Sequence, residues 1–303
     1  MSSVRLAAIA FVVLLTFQTG CGTSSSRLES EEDAAVESPQ PTYDMLYAGA
    51  ERRIGTLDRL WARSVTSLRY VDAEGERRRD QGEGFFLFER PGSVAVLIGK
   101  LGEMYLILGA DDARYWWLEL FEGRRAYVGE TAEAAEASAR ATGVPVLPSD
   151  VLLALDLVRW PEPGSPRVLS VERSSLAGVD ASRTAAICLD ESGRVRRVHV
   201  DTVSLDPVAV EILATDDTLI ARSRLSRHGR VLNRVGAPVE PRMPMRAEID
   251  LPEADARIEL SLSRAAMDPR RPSDAVFDFA GLLDRYRIDE VFEIRQNADD
   301  PRP

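Results

Sequence analysis

The chain has 303 residues, with 38 basic against 49 acidic side chains and a formal net charge of −11. A sequence pI near 4.9 gives no electrostatic footprint for nucleic acid, which requires a basic patch or stripe. The same acidity disfavours a body that lies flat on anionic lipid through a basic patch.

The first twenty residues have the features of a secretory signal peptide. Arg5 precedes an apolar run from Leu6 to Phe17, which is shorter than the ~20 residues of a spanning helix. A short transmembrane anchor is therefore the weaker alternative. Thr19-Gly20-Cys21 resembles the end of a bacterial lipobox, although Gln18 stands where that pattern prefers an aliphatic residue. We predict a signal peptide at 1–20 and lipidation of Cys21, with plain secretion as the alternative.

Residues 21–42 are predicted to be the lipid anchor and a disordered linker. They are rich in Ser, Glu, Pro and Ala and contain almost no large apolar residue. Burial of their side chains therefore could not compensate for the conformational entropy lost on ordering. Gly22 is not the Asp that retains some lipoproteins at the inner membrane. We therefore expect a lipid-anchored protein of the bacterial envelope, on the periplasmic face of the outer membrane. Since lipidated Cys21 cannot pair, Cys188 in the apolar run "TAAICLD" is predicted to be a free, buried thiol.

From residue 43 to 296 we predict one domain, followed by a disordered tail at 297–303. Apolar residues at three- and four-residue spacing predict a first helix from Tyr43 to Trp61. Next, the turn clusters "DAEG", "RPGS", "GKLGE", "GADD" and "EGRR" separate runs rich in Val, Ile, Tyr, Phe and Trp. This composition and spacing predict an antiparallel meander.

Two helices and a second series of strands follow the meander. The first helix is predicted at 131–143, and the second runs from Asp150 to Trp160 with Ser149 as its cap. The second helix is too apolar for an ordinary surface helix. Strands are then predicted at 167–173, 181–189, 195–203, 208–214, 219–225, 231–235 and 257–262. A short helix, "FDFAGLLDRY", closes the domain.

Four runs of the meander lack the alternation of a half-exposed strand. "FFLF", "VAVLI", "MYLIL" and "YWWL" are apolar at successive positions, whereas a strand with one solvated face alternates apolar and polar residues. Both faces must therefore be covered, or enclose something dry. One interpretation is a two-layer sandwich with a filled core. The other is a curved sheet with helices in its mouth around an apolar cavity.

The chain supplies few residues for catalysis or metal binding. His199 alternates with Val198 and Val200 and is predicted to be exposed on a strand, while His228 is predicted at a hairpin tip. A Ser–His–Asp triad would therefore need chance proximity. There is no HExxH or CxxC motif for zinc, and no Ca²⁺ loop. We predict no catalytic residue, no metal site, no cofactor and no enzymatic activity.

The glycine-rich fragment Gly82-Glu83-Gly84 does not predict a nucleotide site. It leads into the strand "FFLFE", whereas a dinucleotide fingerprint follows a strand and opens a helix. Glycine in a strand instead indicates a bulge or tight curvature. The chain thus offers abundant apolar and aromatic surface without a reactive group, which favours binding over catalysis.

Several of these segments together resemble the outer-membrane lipoprotein carrier superfamily (LolA/LolB-like). They are the tethered start, the first helix, "GEGFFLFERPGSVAVLI", the "YWWLEL" meander and the apolar helix pair. The resemblance covers residues 43–294 and is closest from Gly84 to Gly92. It implies a mainly β (α+β) fold: a single curved antiparallel sheet, or incomplete barrel, with lid helices over an apolar cavity that holds acyl chains. Cys21 places the chain nearer the anchored members, and the family's lid-latching arginine has no unique match here.

The predicted function is binding of acyl chains of a lipid or lipoprotein, by a monomer, for transfer or sorting in the envelope. The alternative is a tethered structural β-sandwich with a filled core and no ligand. A one-residue error in face assignment would move each strand's set to the other side of the sheet. The predicted ligand-binding residues are Phe86, Phe88, Tyr105, Trp116 and Trp117 on strands and Leu152, Leu155 and Val158 on the lid.

Overall fold

The computed structural model of the protein describes residues 40–71, 75–121, 123–130, 147–191, 193–233, 241–267 and 274–294. All of them belong to the compact unit Pro39–Pro303. The predicted signal peptide, Cys21, nearly all of the linker, the helix at 131–143 and the tail lie outside the described residues, so those domain boundaries stay predictions. Within the described ranges, no helix combines the length and the hydropathy needed to cross a membrane.

All strands of the described residues belong to one sheet. They are β1 (Arg59–Val71), β2 (Arg77–Glu89), β3 (Ser93–Lys100), β4 (Glu103–Ala110), β5 (Arg114–Glu119), β6 (Arg125–Glu130), β7 (Val168–Arg173), β8 (Thr184–Asp190), β9 (Arg194–Asp201), β10 (Pro207–Ala214), β11 (Leu219–Arg230), β12 (Arg242–Leu251), β13 (Ala256–Ala266) and β14 (Glu290–Glu293). Their order is β14-β6-β5-β4-β3-β2-β1-β13-β12-β11-β10-β9-β8-β7. Every pair is antiparallel except β14 with β6.

The sheet consists of two meanders joined at its centre. The first meander is β1–β6 and the second is β7–β13, and β1 pairs with β13 where they meet. The prediction of a single curved, unclosed antiparallel sheet is confirmed, and the described strands form no second, facing sheet. The glycines of β2 lie where strands crowd: a Cβ on Gly84 would come 1.8 Å from the carbonyl oxygen of Leu97. This close approach agrees with the predicted tight curvature.

Four α-helices and one short 3₁₀ helix (Pro252–Ala254) accompany the sheet in the described residues. The α-helices are α1 (Tyr43–Ile54), α2 (Pro148–Ala154), α3 (Asp274–Phe277) and α4 (Phe279–Tyr286). The side chain of Thr42 caps α1 by accepting a hydrogen bond from the amide of Met45 (3.4 Å). The prediction that this helix extends to Trp61 is wrong, because a turn after Ile54 leads directly into β1. Leu57 in that turn is buried, so the apolar spacing continues beyond the helix itself.

Other element boundaries also differ from the sequence prediction. The helix expected to reach Trp160 ends at Ala154, and Asp156 just after it takes a left-handed conformation (φ 51°). Of the strand expected at 231–235, residues 234 and 235 lie outside the described residues, and the described part has an isolated bridge between Leu232 and Ala266. His228 does not lie at a hairpin tip but within β11, paired with Pro244 of β12. Neither β12 nor β14 was predicted.

Two apolar clusters lie on opposite sides of the first meander. We call them the interior cluster, which includes Phe86 and Trp117 and extends over both meanders under α1 and α2, and the outer cluster, which includes Trp116. The outer cluster lies under the C-terminal segment, with Val276, Leu282 and Ile288. The strands of "VAVLI" and "YWWL" are therefore covered on both faces. This explains why they do not alternate.

Candidate functional site

The interior cluster is built from aligned residues of the first meander and capped by helix α2. Phe86 is paired with Val96, Val96 with Leu108, and Leu108 with Trp117, so these four side chains form one row across β2 to β5. Leu155, directly after α2, is fully buried in the same cluster. The segment that connects the two meanders thus places an apolar helix over an apolar sheet face.

The structure brings together most of the predicted lining residues. Six of them share the interior cluster, five fully buried and Val158 partly buried against it: Phe86, Phe88, Trp117, Leu152, Leu155 and Val158. Two do not join them. Trp116 lies on the opposite face, with its ring 5.7 Å from that of Phe279 in α4. Tyr105 stands at the irregularity between β3 and β4, 5.6 Å from the ring of Phe121. The interior face is therefore that of Trp117, not Trp116.

A buried carboxylate just beyond α2 ties the helices to the sheet. Asp156 forms ion pairs with Arg53 of α1 and with Arg196 of β9, the second at 3.2 Å between Nη1 and Oδ1. The indole nitrogen of Trp160 donates to the same Oδ1 at 2.9 Å. Asp156 and Arg196 are 0 % exposed, so their charges depend on each other. We call Asp156, Arg53 and Arg196 the buried clasp.

Further polar contacts hold α2 against the second meander. Arg194 pairs with Asp150 (Nη1 to Oδ1, 2.8 Å), and the hydroxyl of Ser223 donates to the carbonyl of Ala154 at 2.7 Å. Burial raises the pKa of Asp150, while the charge of Arg194 acts in the opposite direction. The two aspartates that flank "VLLAL" were the only sequence signal of these ties, because nothing in the pattern identified their arginine partners.

A second polar network lies on the outer face of the second meander, around His199. The prediction that His199 is exposed is wrong: it is 1 % exposed. Its Nδ1 lies 2.8 Å from the hydroxyl of Ser174 and its Nε2 lies 3.2 Å from Glu211. The hydrogen bond from His199, reinforced by Arg222, lowers the pKa of Glu211 to about 2. Since Glu211 is ionised and can only accept, Nε2 of His199 donates the hydrogen bond between them.

This hydroxyl–imidazole–carboxylate series resembles the proton relay of a serine hydrolase in its contacts. The burial of this network distinguishes it from the active site of a serine hydrolase. Ser174 is 2 % exposed, and its oxygen also accepts a hydrogen bond from the amide of Leu176 at 3.2 Å. A substrate carbonyl cannot approach an oxygen in that position, so the network fastens the segment after β7 to β9 and β10.

The free cysteine of the described chain lies beside this network. Cys188 is buried, which confirms the prediction of a buried free thiol. The Nε of Arg197 donates to its sulfur at 3.4 Å. Cys188 therefore sits beside charged neighbours on the outer face, whereas Ile187 and Leu189 belong to the interior cluster.

Many solved structures are similar to this chain, and three of them illustrate the similarity. A LolA superfamily protein from Nitrosomonas europaea is 14% identical, with 77% of this chain and 95% of that chain covered and a TM-score of 0.47. A putative outer membrane lipoprotein-sorting protein domain from Vibrio parahaemolyticus is 11% identical, with 76% and 94% covered and a TM-score of 0.48. A DUF1329 family protein from Desulfovibrio piger is 15% identical, with 78% and 97% covered and a TM-score of 0.42.

The sequence matches no protein-family model and no curated protein. The first of the three similar structures belongs to the superfamily that the sequence resembles. The single unclosed sheet, with α1 and α2 over its interior face, is the fold which that resemblance implies. At this distance the similarity concerns the fold alone.

Proposed function

We propose that this chain is a membrane-anchored lipoprotein of the bacterial envelope. In this proposal it binds acyl chains of a lipid or lipoprotein between the interior face and α2, for transfer or sorting. The observation that carries the proposal is an apolar helix seated on the row from Phe86 to Trp117. An acyl chain bound between the two would gain about 0.8 kcal/mol per buried CH₂. An apolar site of this kind needs few directional contacts.

Binding requires α2 to leave the sheet, because Leu155 is fully buried in the closed arrangement. The buried clasp fixes the segment just after α2, so the motion we propose is a swing about Asp156. Opening of this kind is the usual way in which lids admit ligands. The proposal assigns no catalytic role to the chain, and the burial of Ser174 supports this.

The experiment measures binding of an environment-sensitive fatty-acid probe to the full chain and to Leu155→Trp. We expect micromolar affinity for the parent and at least a tenfold loss in the variant, because the larger ring occupies the space of the acyl chain. Leu169→Trp is the matched control, since Leu169 is 53 % exposed on β7. It should leave the affinity unchanged.

The filled-core alternative predicts a different result. Leu155→Trp would then overpack the interior and lose about 1–3 kcal/mol of unfolding free energy, and the parent would not bind the probe. That pair of results would overturn acyl-chain binding and leave a structural or interaction role.

The anchor has its own test. Cys21 is the proposed lipidation site, and metabolic labelling with a fatty acid should mark the parent but not Cys21→Ser. A labelled, membrane-bound Cys21→Ser chain would contradict the anchor without affecting the interior site.

A further inference from the structure

A cleft of 720 Å³ opens at the end of the sheet, away from α2. It lies where the β1–β2 hairpin extends beyond β13, since Arg69 and Arg257 form the last pair of β1 and β13. The turn between β12 and β13 forms its other wall. Five arginines and two aspartates are among its lining residues, an excess of three positive charges on a chain of net charge −11: Arg69, Arg77, Arg78, Arg79, Arg257, Asp250 and Asp255.

The register of the sheet shows how unusual this concentration of charge is. One row of paired residues crosses seven adjacent strands on the outer face, and its charges alternate in sign as far as Arg257. There the alternation ends, and two more arginines follow. The row is Arg197, Glu211, Arg222, Asp250, Arg257, Arg69 and Arg79.

Like charges directly opposite each other on paired strands are destabilising. Arg257 is compensated by Asp250, and Arg69 by Glu259 at 3.2 Å. Arg77 and Arg79 are exposed and form no ion pair with any residue in the described part of the chain. The cleft thus keeps cationic side chains together at a cost to folding, which a bound anion would offset.

The floor of the same cleft is apolar and continuous with the interior cluster. Leu251 and Ala256 belong to that cluster, and Tyr70 packs against it. An anion alone would gain nothing from this floor, whereas an amphiphile could place its headgroup on the arginines and its first methylenes on the floor. Arginine presents its donors in a planar fork that matches phosphate oxygens.

We propose that this arginine cleft binds the phosphate group of an anionic amphiphile. The proposal rests on the proposed acyl-chain binding and adds the headgroup: the ligand is a phospholipid-like molecule rather than a neutral lipid or a free fatty acid. The phosphate could also come from a free phosphate ion, and the experiment separates the two sources.

The experiment compares three soluble probes by calorimetry on the full chain: dihexanoyl phosphatidic acid, dihexanoylglycerol and inorganic phosphate. The first two have the same acyl chains and differ in the phosphate. We expect phosphatidic acid to bind at least tenfold more tightly than dihexanoylglycerol, as charge-assisted hydrogen bonds imply. It should also bind at least tenfold more tightly than inorganic phosphate, which cannot use the apolar floor.

Arg79→Gln should reduce the preference for phosphatidic acid to threefold or less. The variant should fold, because it removes a charge opposite Arg69, and Arg77→Gln serves as a second variant. Arg63→Gln is the matched control: Arg63 is exposed on β1, on the same face as Arg69, and does not line the cleft. Arg63 and Arg69 are six positions apart along the strand, which is about 20 Å. This control should keep the full preference.

The outcomes distinguish this inference from the proposed function. Equal affinity for phosphatidic acid and dihexanoylglycerol would overturn the proposal that the cleft binds phosphate. A preference that survives both Arg79→Gln and Arg77→Gln would do the same. Either result would leave acyl-chain binding intact. If inorganic phosphate binds as tightly as phosphatidic acid, the ligand is not an amphiphile and the cleft is a site for the free ion. If neither lipid binds while the fatty-acid probe does, only the proposed phosphate binding in the cleft is wrong. If the fatty-acid probe also fails, both proposals are wrong.

Discussion

The two meanders form one sheet, yet their outer faces carry different kinds of residue. In the first meander the outer face is apolar where α4 and its neighbours cover Trp116 and Leu118. In the second meander the outer face carries charges such as Arg197, Glu211 and Arg222. The interior faces of both are alike, since both contribute to the interior cluster.

This difference shows what a lack of apolar–polar alternation in a strand indicates. A strand that is apolar on both faces indicates two covering layers, and here the second layer is the C-terminal segment rather than a ligand. The proposed function therefore places the acyl chain on the interior face, where α2 is the cover. "YWWL" thus contains one residue for each role: Trp117 on the interior face and Trp116 under α4.

The largest predicted effect comes from the contact that joins the two halves through the helices. Asp156→Asn removes the carboxylate between Arg53 of α1 and Arg196 of β9. Arg53 would then be buried without a counter-charge, and Arg196 would keep only Glu191, which lies 2.7 Å from its Nη2. We therefore expect a loss of about 3–5 kcal/mol of unfolding free energy in urea. Asp289→Asn is the matched control at an exposed position and should change stability by less than about 0.5 kcal/mol. An equal loss of unfolding free energy in the two variants would contradict a stabilising role of the buried clasp.

The second prediction concerns the outer face of the second meander and its dependence on pH. The folded state holds the pKa of Glu211 at about 2, below its ordinary value of 4.5, chiefly through the hydrogen bond from His199. The stabilisation is therefore complete above pH ~4.5 and is lost as the pH falls from there towards 2. A shift of this size corresponds to roughly 3 kcal/mol as an upper figure.

Urea unfolding of the parent and of Glu211→Gln between pH 6 and pH 2 measures this dependence. The parent should lose stability more steeply than the variant in that range. Glu253→Gln, at an exposed position, should follow the parent. Parallel curves for the parent and Glu211→Gln would show that the contact does not contribute to the pH dependence.

The sequence predicted the meanders well because their signal is local. Runs such as "VAVLI" between turn clusters determine strands on their own, and the buried thiol of Cys188 follows from its neighbours. β12 was missed because its run, "RMPMRAEIDL", contains Pro244 and four charged residues before its last leucine. β14 has four exposed residues, so its pairing with β6 leaves no apolar pattern in the sequence.

The site was only partly predictable, for a different reason. Periodicity shows that Trp116 and Trp117 lie on opposite faces, but only the packing of α4 determines which of them is interior. Similarly, the alternation around His199 was recognised, yet its burial depends on Ser174, which is distant in sequence and approaches through the pairing of β7 with β8. Tertiary contacts of this kind cannot be read from one segment at a time.

The smallest predicted effect is also the most direct comparison of the two faces. Trp116→Phe and Trp117→Phe make the same change at adjacent, fully buried positions. Neither indole nitrogen has a hydrogen-bond partner in the described part of the chain, so each variant loses packing without losing a hydrogen bond, and we expect a cost of about 1 kcal/mol for each. Affinity for the fatty-acid probe should separate them: Trp117→Phe should change it threefold or more, because that ring lies in the row beneath α2, whereas Trp116→Phe should leave it unchanged. The same shift in affinity for both variants would mean that the probe senses overall stability rather than the interior face.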